Sequence, residues 1–358
     1  YIQKHSLYQG INAMKSIKYL LVFSLPITVN IAFQSEGWLS YLPVYVFFIL
    51  VPFLELILPS HWTTNEASEN ALHRHAKYYN YLLYALVFVQ WGFVTYFLMT
   101  QNSSPDSTTW WGRVVSMGLM CGIIGINVGH ELGHRNKRSE QFLGELLLLS
   151  SLENHFLPYH NRGHHTNVGT PSDPATARKN EPVYLFWFRS QIGSYFQAWQ
   201  IELTRMQIIG KAKFSFYNKM VIYSLSHFLL LLAIWHFLDL KALLAFMAAA
   251  AIGILLLETV NYIEHYGLKR QLKENGRYEL VKRKHSWNSN HLLGRLILFE
   301  LSRHSEHHYK PDKPYQLLHS DPEAPTMPTG YPGMMLLSFV PPLFFRVMNV
   351  KVERALNA

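Results

Sequence analysis

The stretch WWGRVVSMGLMCGIIGINVGHELGH, residues 110–134, decides the fold class. It starts as a membrane span, because about 20 mostly apolar residues are enough to cross the hydrocarbon core of a bilayer. It ends in HELGH, which places His130 and His134 four residues apart at the membrane face. On a helix, positions i and i+4 share one face, so two imidazoles are aimed at one place. Arg113 is close enough to the outer end of the span to snorkel to the headgroups.

Working outward, five more stretches have the length and composition of spans. Together the six lie near residues 17–34, 41–58, 81–99, 110–130, 221–238 and 242–263. The 358 residues are 49% hydrophobic and only 15% charged, against about 25% charged in an ordinary soluble domain. The mean hydropathy of +0.02 is near zero because apolar spans and polar regions cancel. The run 142–157 carries Glu145, Glu153, Asn154 and His155, so it is expected to be interfacial or re-entrant rather than spanning. Residues 334–348 are too few to span and are broken by Pro341 and Pro342; they are expected at the surface, packed on protein. The expectation is an all-α membrane protein of one domain, residues 1–358. Its six transmembrane helices would carry a histidine-rich cap made of residues 131–220 and 264–358. No cleavable signal peptide, internal repeat or low-complexity linker is expected.

Basic residues give the orientation. The connections 36–40 and 101–109 contain no Lys or Arg, whereas 59–80 contains Arg74 and Lys77 and the two polar regions hold most of the positive charge. The positive-inside rule then puts the N-terminus and the cap on the cytoplasmic side. Trp38, Trp110 and Trp111 fall where an outer aromatic belt would lie. The net charge is +9, and residues 267–295 alone hold Lys269, Arg270, Lys273, Arg277, Lys282, Arg283, Lys284 and Arg295 against Glu274 and Glu279. That region suits either an anionic lipid surface or the docking of an acidic protein. No nucleic-acid recognition motif accompanies the charge, so nucleic acid is not expected as a partner.

The chain has 19 histidines and a single cysteine, Cys121. One cysteine excludes a disulfide framework, a Cys-ligated zinc ribbon and an iron–sulfur cluster built by this chain alone. No GxGxxG or flavin fingerprint is present, so a flavin is not expected here; a haem is not expected either. A bound metal must therefore take nitrogen and oxygen ligands. Nine histidines fall into four groups at one membrane face: His130 and His134 in HELGH; His160, His164 and His165 in HNRGHH; His265 in NYIEHYG; and His304, His307 and His308 in RHSEHH. Each HxxxH or HxxH is expected to aim two imidazoles together, and each doubled HH offers a neighbour for a second ion. Nine nitrogens exceed the three protein ligands of a catalytic zinc, so two ions of higher coordination number fit better. Imidazole suits Zn, Cu, Fe and Ni alike, and the residues alone do not name the metal.

HELGH also matches HExxH, the zinc-protease pattern with Glu131 as base, but that reading accounts for two histidines and leaves seven. Glu131, Asp173, Glu264 and Glu306 flank the groups. Such carboxylates commonly accept the second imidazole N–H and fix the ring, here Asp173 and Glu264 above all; one could instead bridge two ions. Of the other histidines, His5, His61, His73, His75 and His319 read as solvated or headgroup-level, and His227 and His236 as hydrogen-bonding within the bundle. His155, His285 and His291 read as supporting rather than ligating, and in HSWNSNH Asn288 or Asn290 could orient true ligands.

The runs NVGHELGHRNK, HNRGHH with TPSDPATAR, NYIEHYGL, HSWNSNH, LSRHSEHH and MPTGYPG, from Asn127 to Gly333, resemble those of the alkane 1-monooxygenases, integral-membrane di-iron enzymes related to membrane fatty acid desaturases. Two departures stand out: Tyr159 where Glu commonly precedes the second group, and Ser302 where Gln is common. The resemblance implies six transmembrane helices in a bacterial inner membrane and two irons held by the nine histidines. It also implies O2-dependent hydroxylation of an alkane's terminal methyl to a primary alcohol. Electrons would come from rubredoxin, itself reduced by a NAD(P)H-dependent rubredoxin reductase. A membrane fatty-acyl desaturase or hydroxylase uses the same metal logic and is the main alternative. Phe47, Leu50 and Leu54 could line a channel for the alkane, or could be ordinary core or lipid-facing residues.

Overall fold

The computed structural model describes residues 17–58, 60 and 77–357. His5, His61, His73, His75 and Arg74 lie outside the described residues. The regular structure is helical; among the described residues the strand-type pairings are two isolated bridges, Leu272 with Tyr278 and Asn288 with Thr326. Among the described residues five helices are long and apolar enough to cross a membrane: α2 (Gly37–Ile57), α3 (Lys77–Thr100), α4 (Ser107–Gly133), α8 (Lys219–Phe237) and α9 (Leu240–His265). The stretch expected as the first span is α1 (Lys18–Gln34), apolar but shorter. At about 1.5 Å per residue α1 reaches about 25 Å, less than a full hydrocarbon core.

Helix α4 is the centre of the bundle and is buried along most of its length. It packs closely on α9 because the contact is made by small residues. A Cβ on Gly253 would lie 2.6 Å from the Cβ of Cys121, and one on Gly118 would lie 2.5 Å from Ile252. Small residues let helix backbones approach where no hydrophobic effect drives them together. The outward faces of α2, α3 and α8 are apolar and exposed, as at Phe53, Phe88, Phe228 and Trp235. Arg113 does not reach toward headgroups. It is buried, and its Nη1 donates to the Thr100 carbonyl (2.8 Å) and to Ser104 Oγ (3.2 Å). The last carbonyls of a helix lack intrahelical donors, and a cation there also complements the helix dipole.

The run expected to be re-entrant is α5 (Arg138–Leu149), 12 residues long and too short to span. Its Gly144, Leu147 and Leu148 are buried, with Gly144 closely apposed to Gly129 of α4, and Trp91 Nε1 of α3 donates to the Leu146 carbonyl at 3.1 Å. The cap comprises α6 (Phe156–Tyr159) with the residues that follow it to Asn167, α7 (Val183–Ile208), a short helical turn at Leu292–Ile297, α10 (His304–Tyr309), α11 (Tyr331–Ser338) and α12 (Pro341–Asn357). Residues 334–348 lie at the surface and pack on protein, as expected: Val340 and Leu343 are half exposed on one side. Met334, Phe344 and Met348 are fully buried, and Phe344 packs 5.1 Å from Tyr262 and 4.8 Å from Tyr266 at the end of α9. The apolar side chains that Pro341–Pro342 leave too few to span still have a core to fill.

Among the described residues three wide π-type turns interrupt the helices: Val46–Leu50, Cys121–Ile126 and His160–His164. Such turns insert a residue into the α pattern and rotate the side chains beyond them, and they concentrate at functional sites. Here each one contributes residues to the wall of the same internal cavity.

Candidate metal centre

Nine imidazoles from four separate segments converge beneath the cap in two clusters. The first contains His130, His134, His160, His165 and His307; the second contains His164, His265, His304 and His308. Helix α4 ends at HELGH and delivers His130 and His134. Helix α9 ends at His265, and the HSWNSNH segment ties that end down: Trp287 N donates to the Glu264 carbonyl (2.8 Å) and Trp287 Nε1 to the Tyr266 carbonyl (2.9 Å). Asn288 Oδ1 accepts from Ser305 N (2.8 Å), which fixes the start of α10 and hence His304, His307 and His308.

The local helix geometry decides which imidazole goes where. His130 and His134, four apart on α-helix, share the first cluster, and His304 and His308, also four apart, share the second. The expectation that every HxxxH or HxxH would aim at one place does not hold for the other two pairs. His160 and His164 are separated between the clusters, and so are His304 and His307. His160 begins the π turn, whose repeat is closer to five residues, so it pairs instead with His165. In an α-helix a three-residue step lands about 60° to one side of the starting side chain and a four-residue step about 40° to the other, so His307 and His308 flank His304 on opposite sides. Each doubled HH sends one imidazole to each cluster.

The donor atoms are the Nε2 nitrogens. In the first cluster, His130 Nε2 lies 3.0 Å from that of His134 and 3.1 Å from that of His307, and the His160 and His165 Nε2 atoms are 3.0 Å apart. In the second, His304 Nε2 is 3.1 Å from that of His265 and 2.9 Å from that of His308. His164 Nε2 is buried with no hydrogen-bond partner among the described residues. With metal–nitrogen bonds of about 2.1 Å, neighbouring donors stand about 3.0 Å apart at right angles and about 3.4 Å apart at the tetrahedral angle. The observed spacings match right angles, and five donors exceed a tetrahedral zinc site. Burial first, then the neighbouring histidines, holds His160, His165, His304, His307 and His308 well below the usual imidazole range. His134 is pushed down to about 3 by burial, His164 and Arg135. Neutral imidazoles are the form that binds a metal, so the donor set fits two metal ions.

The flanking carboxylates take different positions. Asp173 is buried; its Oδ2 accepts from His164 Nδ1 (2.9 Å) and from Thr176 Oγ1 (2.6 Å), and its Oδ1 accepts from the Tyr159 hydroxyl (2.6 Å). Burial pushes Asp173 up, but His164 and these donors pull it to about 2. Glu131 accepts from Arg135 (2.7 Å) and from the backbone N–H of Tyr315 (3.2 Å). Glu306 is held by Arg283 and Lys313, each at 2.7 Å. Glu264 Oε1 accepts from the Tyr331 hydroxyl (2.7 Å), while Oε2 is 3.2 Å from His304 Nε2. Two supporting contacts had no sequence signal beyond their neighbourhood: Ser286 Oγ lies 3.5 Å from His265 Nδ1, and Phe156 stacks on His160 at 4.4 Å.

The remaining described histidines lie outside both clusters. His155 sits against Glu153 (3.2 Å), His285 against Glu279 (3.2 Å), His291 against Ser289 (3.0 Å), His227 against Asn154 (2.9 Å) and His319 against Lys313 (2.8 Å). A mostly apolar cavity has His130, His160 and His304 in its lining. Phe47, Phe48, Val51, Ile126, Leu256 and Met335 are among its walls. Leu50, expected beside Phe47, is half exposed on the outer face, and Leu54 does not line the cavity.

Comparison with known proteins places this geometry in context. The family model described as "Fatty acid desaturase" matches residues 108–337, the part that carries all nine histidines. The chain is similar to alkane 1-monooxygenase 1 of Alcanivorax borkumensis, with 35% identity over 322 residues, which is 89% of this chain and 80% of the relative. It is similar to an alkane 1-monooxygenase of Pseudomonas putida, with 36% identity over 337 residues covering 90% and 81%. A more distant likeness, 25% over 348 residues (94% and 88%), is to the xylene/toluene monooxygenase hydroxylase component of Pseudomonas putida.

Proposed function

The chain belongs to the alkane 1-monooxygenases, membrane oxidoreductases within the fatty acid desaturase family, and from that premise we propose that it hydroxylates alkanes at the terminal methyl. The two histidine clusters would hold two irons. The observation that carries this reading is the cavity: its lining is mostly apolar and includes His130, His160 and His304. Such a cavity would take a hydrocarbon out of water and hold it beside the metal-binding imidazoles. Bound iron would supply the one-electron chemistry and O2 activation that a strong C–H bond demands and no acid–base side chain can provide.

The protein's own residues position the parts. Phe156 and the Nε2 neighbours hold the His160 ring. Asp173 accepts the Nδ1 proton of His164, which leaves Nε2 with its lone pair facing the second cluster. Phe47, Val51 and Leu256 would fix the chain against sideways movement. Electrons must arrive from outside, since Cys121 is the only cysteine and is buried in the bundle. Rubredoxin, reduced in turn by its NAD(P)H-dependent reductase, is the proposed donor.

In residues 267–295, Arg270, Lys282, Arg283 and Arg295 are engaged by backbone carbonyls or carboxylates, while Lys269, Lys273 and Arg277 stand exposed. These exposed cations are the proposed docking face for the acidic donor, on a cap that faces the cytoplasm from a bacterial inner membrane. His160→Ala tests the assignment. It should abolish binding of the first ion and hydroxylation together; full activity in that variant would sink it. An internal double bond in the product, instead of a primary alcohol, would favour the desaturase reading that the family match also admits.

A further inference from the structure

Gly330, in the run MPTGYPG, is a glycine that its own backbone does not require. Its φ of −67° and ψ of 168° are open to any L-residue. What leaves no room for a side chain there is Glu55 of α2. A Cβ on Gly330 would lie 1.8 Å from Glu55 Oε2 and 2.5 Å from Glu55 Cδ. Gly294 closes the other side of the same carboxylate. A Cβ there would lie 3.1 Å from Oε1, and the Gly294 N–H donates to Oε1 at 2.7 Å. Two glycines from separate segments of the cap thus form a seat for one side chain of a membrane span.

Glu55 is 2% exposed, and its Oε2 has no hydrogen-bond partner among the described residues. A buried polar atom without a partner is unfavourable, so an apolar residue would be the ordinary occupant of this position. What Glu55 adds is the bond to Gly294, and each segment it joins carries cavity wall. Val51, one turn earlier on the same face of α2, lines the cavity beside Phe47. Gly294 is itself in the lining, within the turn Leu292–Ile297. Gly330 is followed by Tyr331 and Pro332, both in the lining, and the Tyr331 hydroxyl is held by Glu264. One carboxylate therefore ties the α2 wall to two stretches of the cap wall at a single point.

We propose that Glu55 is a positioning residue: seated between Gly294 and Gly330, it holds the α2 side of the cavity against the cap side and so fixes where a bound hydrocarbon lies beside the imidazoles. The inference rests on the reading of the cavity as the alkane site. Glu55 is not part of the cavity lining, so it acts through Val51 on one side and Tyr331 on the other. It also gives Gly330 and Gly294 a shared purpose, room for a carboxylate.

The test uses the full chain in detergent, with two readouts. Thermal unfolding asks whether the seat exists. Gly330→Ala should lower the unfolding temperature, because the new Cβ displaces the carboxylate from its bond to Gly294. In a Glu55→Ala background the same change should have less than about half that effect, since the two residues share one contact. Equal lowering in both backgrounds overturns the seat. Octane hydroxylation with rubredoxin and its reductase asks whether the seat positions the substrate. Glu55→Gln, which can still accept from Gly294, should keep the wild-type ratio of primary to secondary alcohol. Glu55→Leu fills a similar volume but cannot accept. At wild-type metal content, its kcat/KM for octane should fall by up to about 100-fold, with secondary alcohols among the products. Wild-type kcat/KM and product ratio in Glu55→Leu overturn the positioning role. So does metal lost in proportion to activity, which is what a merely structural residue would give. Should Glu55→Leu not fold, Gly330→Ala carries the same readout, with the same supporting and overturning results. A wild type that makes no octanol refutes the alkane reading and the positioning role with it, while the unfolding pair still decides the seat, which keeps the two failures distinguishable.

Discussion

Replacing Asp173 with Asn should loosen the second ion without dismantling the fold. Asp173 satisfies four donors with two oxygens: Oδ2 takes His164 Nδ1–H (2.9 Å) and Thr176 Oγ1–H (2.6 Å), and Oδ1 takes the Tyr159 hydroxyl (2.6 Å) and Ala175 N–H (3.3 Å). An asparagine has one oxygen and one NH2. With its oxygen toward His164, the NH2 meets the Ala175 N–H, a donor that cannot turn away. With its NH2 toward His164, the imidazole must carry its proton on Nε2, which removes the lone pair that would bind the ion. Either pose is unfavourable, and the negative charge beside the site is gone as well. Outer partners of metal-bound imidazoles are typically worth 10- to 100-fold in affinity, or about 1.4 to 2.8 kcal/mol. Competition titration against a chelator of known affinity, on the full chain in detergent, measures this for each ion in turn. The second ion should weaken by that factor and the first by less than about threefold. A second-ion affinity within twofold of wild type would show that the Asp173 contact does not orient His164.

Other consequences come from packing. Phe47→Ala should deepen the cavity and shift the products toward longer alcohols, at about 3–5 kcal/mol in stability; chromatography of products from an alkane series, with thermal unfolding alongside, checks both, and an unchanged chain-length profile would remove Phe47 from the substrate wall. Gly253→Val should lower the unfolding temperature by forcing α4 and α9 apart at Cys121, at about 1–3 kcal/mol or more, whereas Gly276→Ala, with open space around its Cβ position, should show only the modest penalty of its positive φ. Glu306→Ala removes the buried partner of Arg283 and Lys313, but Asp321 still pairs with Arg283 at 3.1 Å, so it should lose about 1–3 kcal/mol and loosen α10, measured as faster hydrogen exchange across His304–Tyr309. Chelation of bound metal should lower the unfolding temperature, since an ion at 100 times its Kd contributes about 2.7 kcal/mol.

The six apolar stretches and the four histidine groups were readable because both depend on composition and short spacing, and each of those nine histidines lies in one of the two clusters. The partition of the imidazoles was not readable. It depends on a π turn at His160–His164, and a wide turn leaves no residue-type signature in a single sequence. Arg113 illustrates a second limit. Its position near a helix end was clear, but whether lipid headgroups or the carbonyl of Thr100 would take it depends on how α3 and α4 end side by side. Residues 334–348 show a third: a segment too short to span was readable as one that packs on protein at the surface, but the core it packs on, around Tyr262 and Tyr266, is assembled only by the fold. Tyr159, noted only as a departure from a common Glu, gains a definite contact through the Asp173 carboxylate, a partner 14 residues away that only the folded cap brings near.

The central claim is that the two histidine clusters hold two irons and act on the end of an alkane. Metal analysis of the purified full chain, coupled to rubredoxin-dependent oxidation of a graded alkane series, tests it most directly. The account predicts about two irons per chain, loss of both iron and turnover in His160→Ala, and primary alcohols as products. One zinc with no iron, or an internal alkene in place of the alcohol, would contradict it.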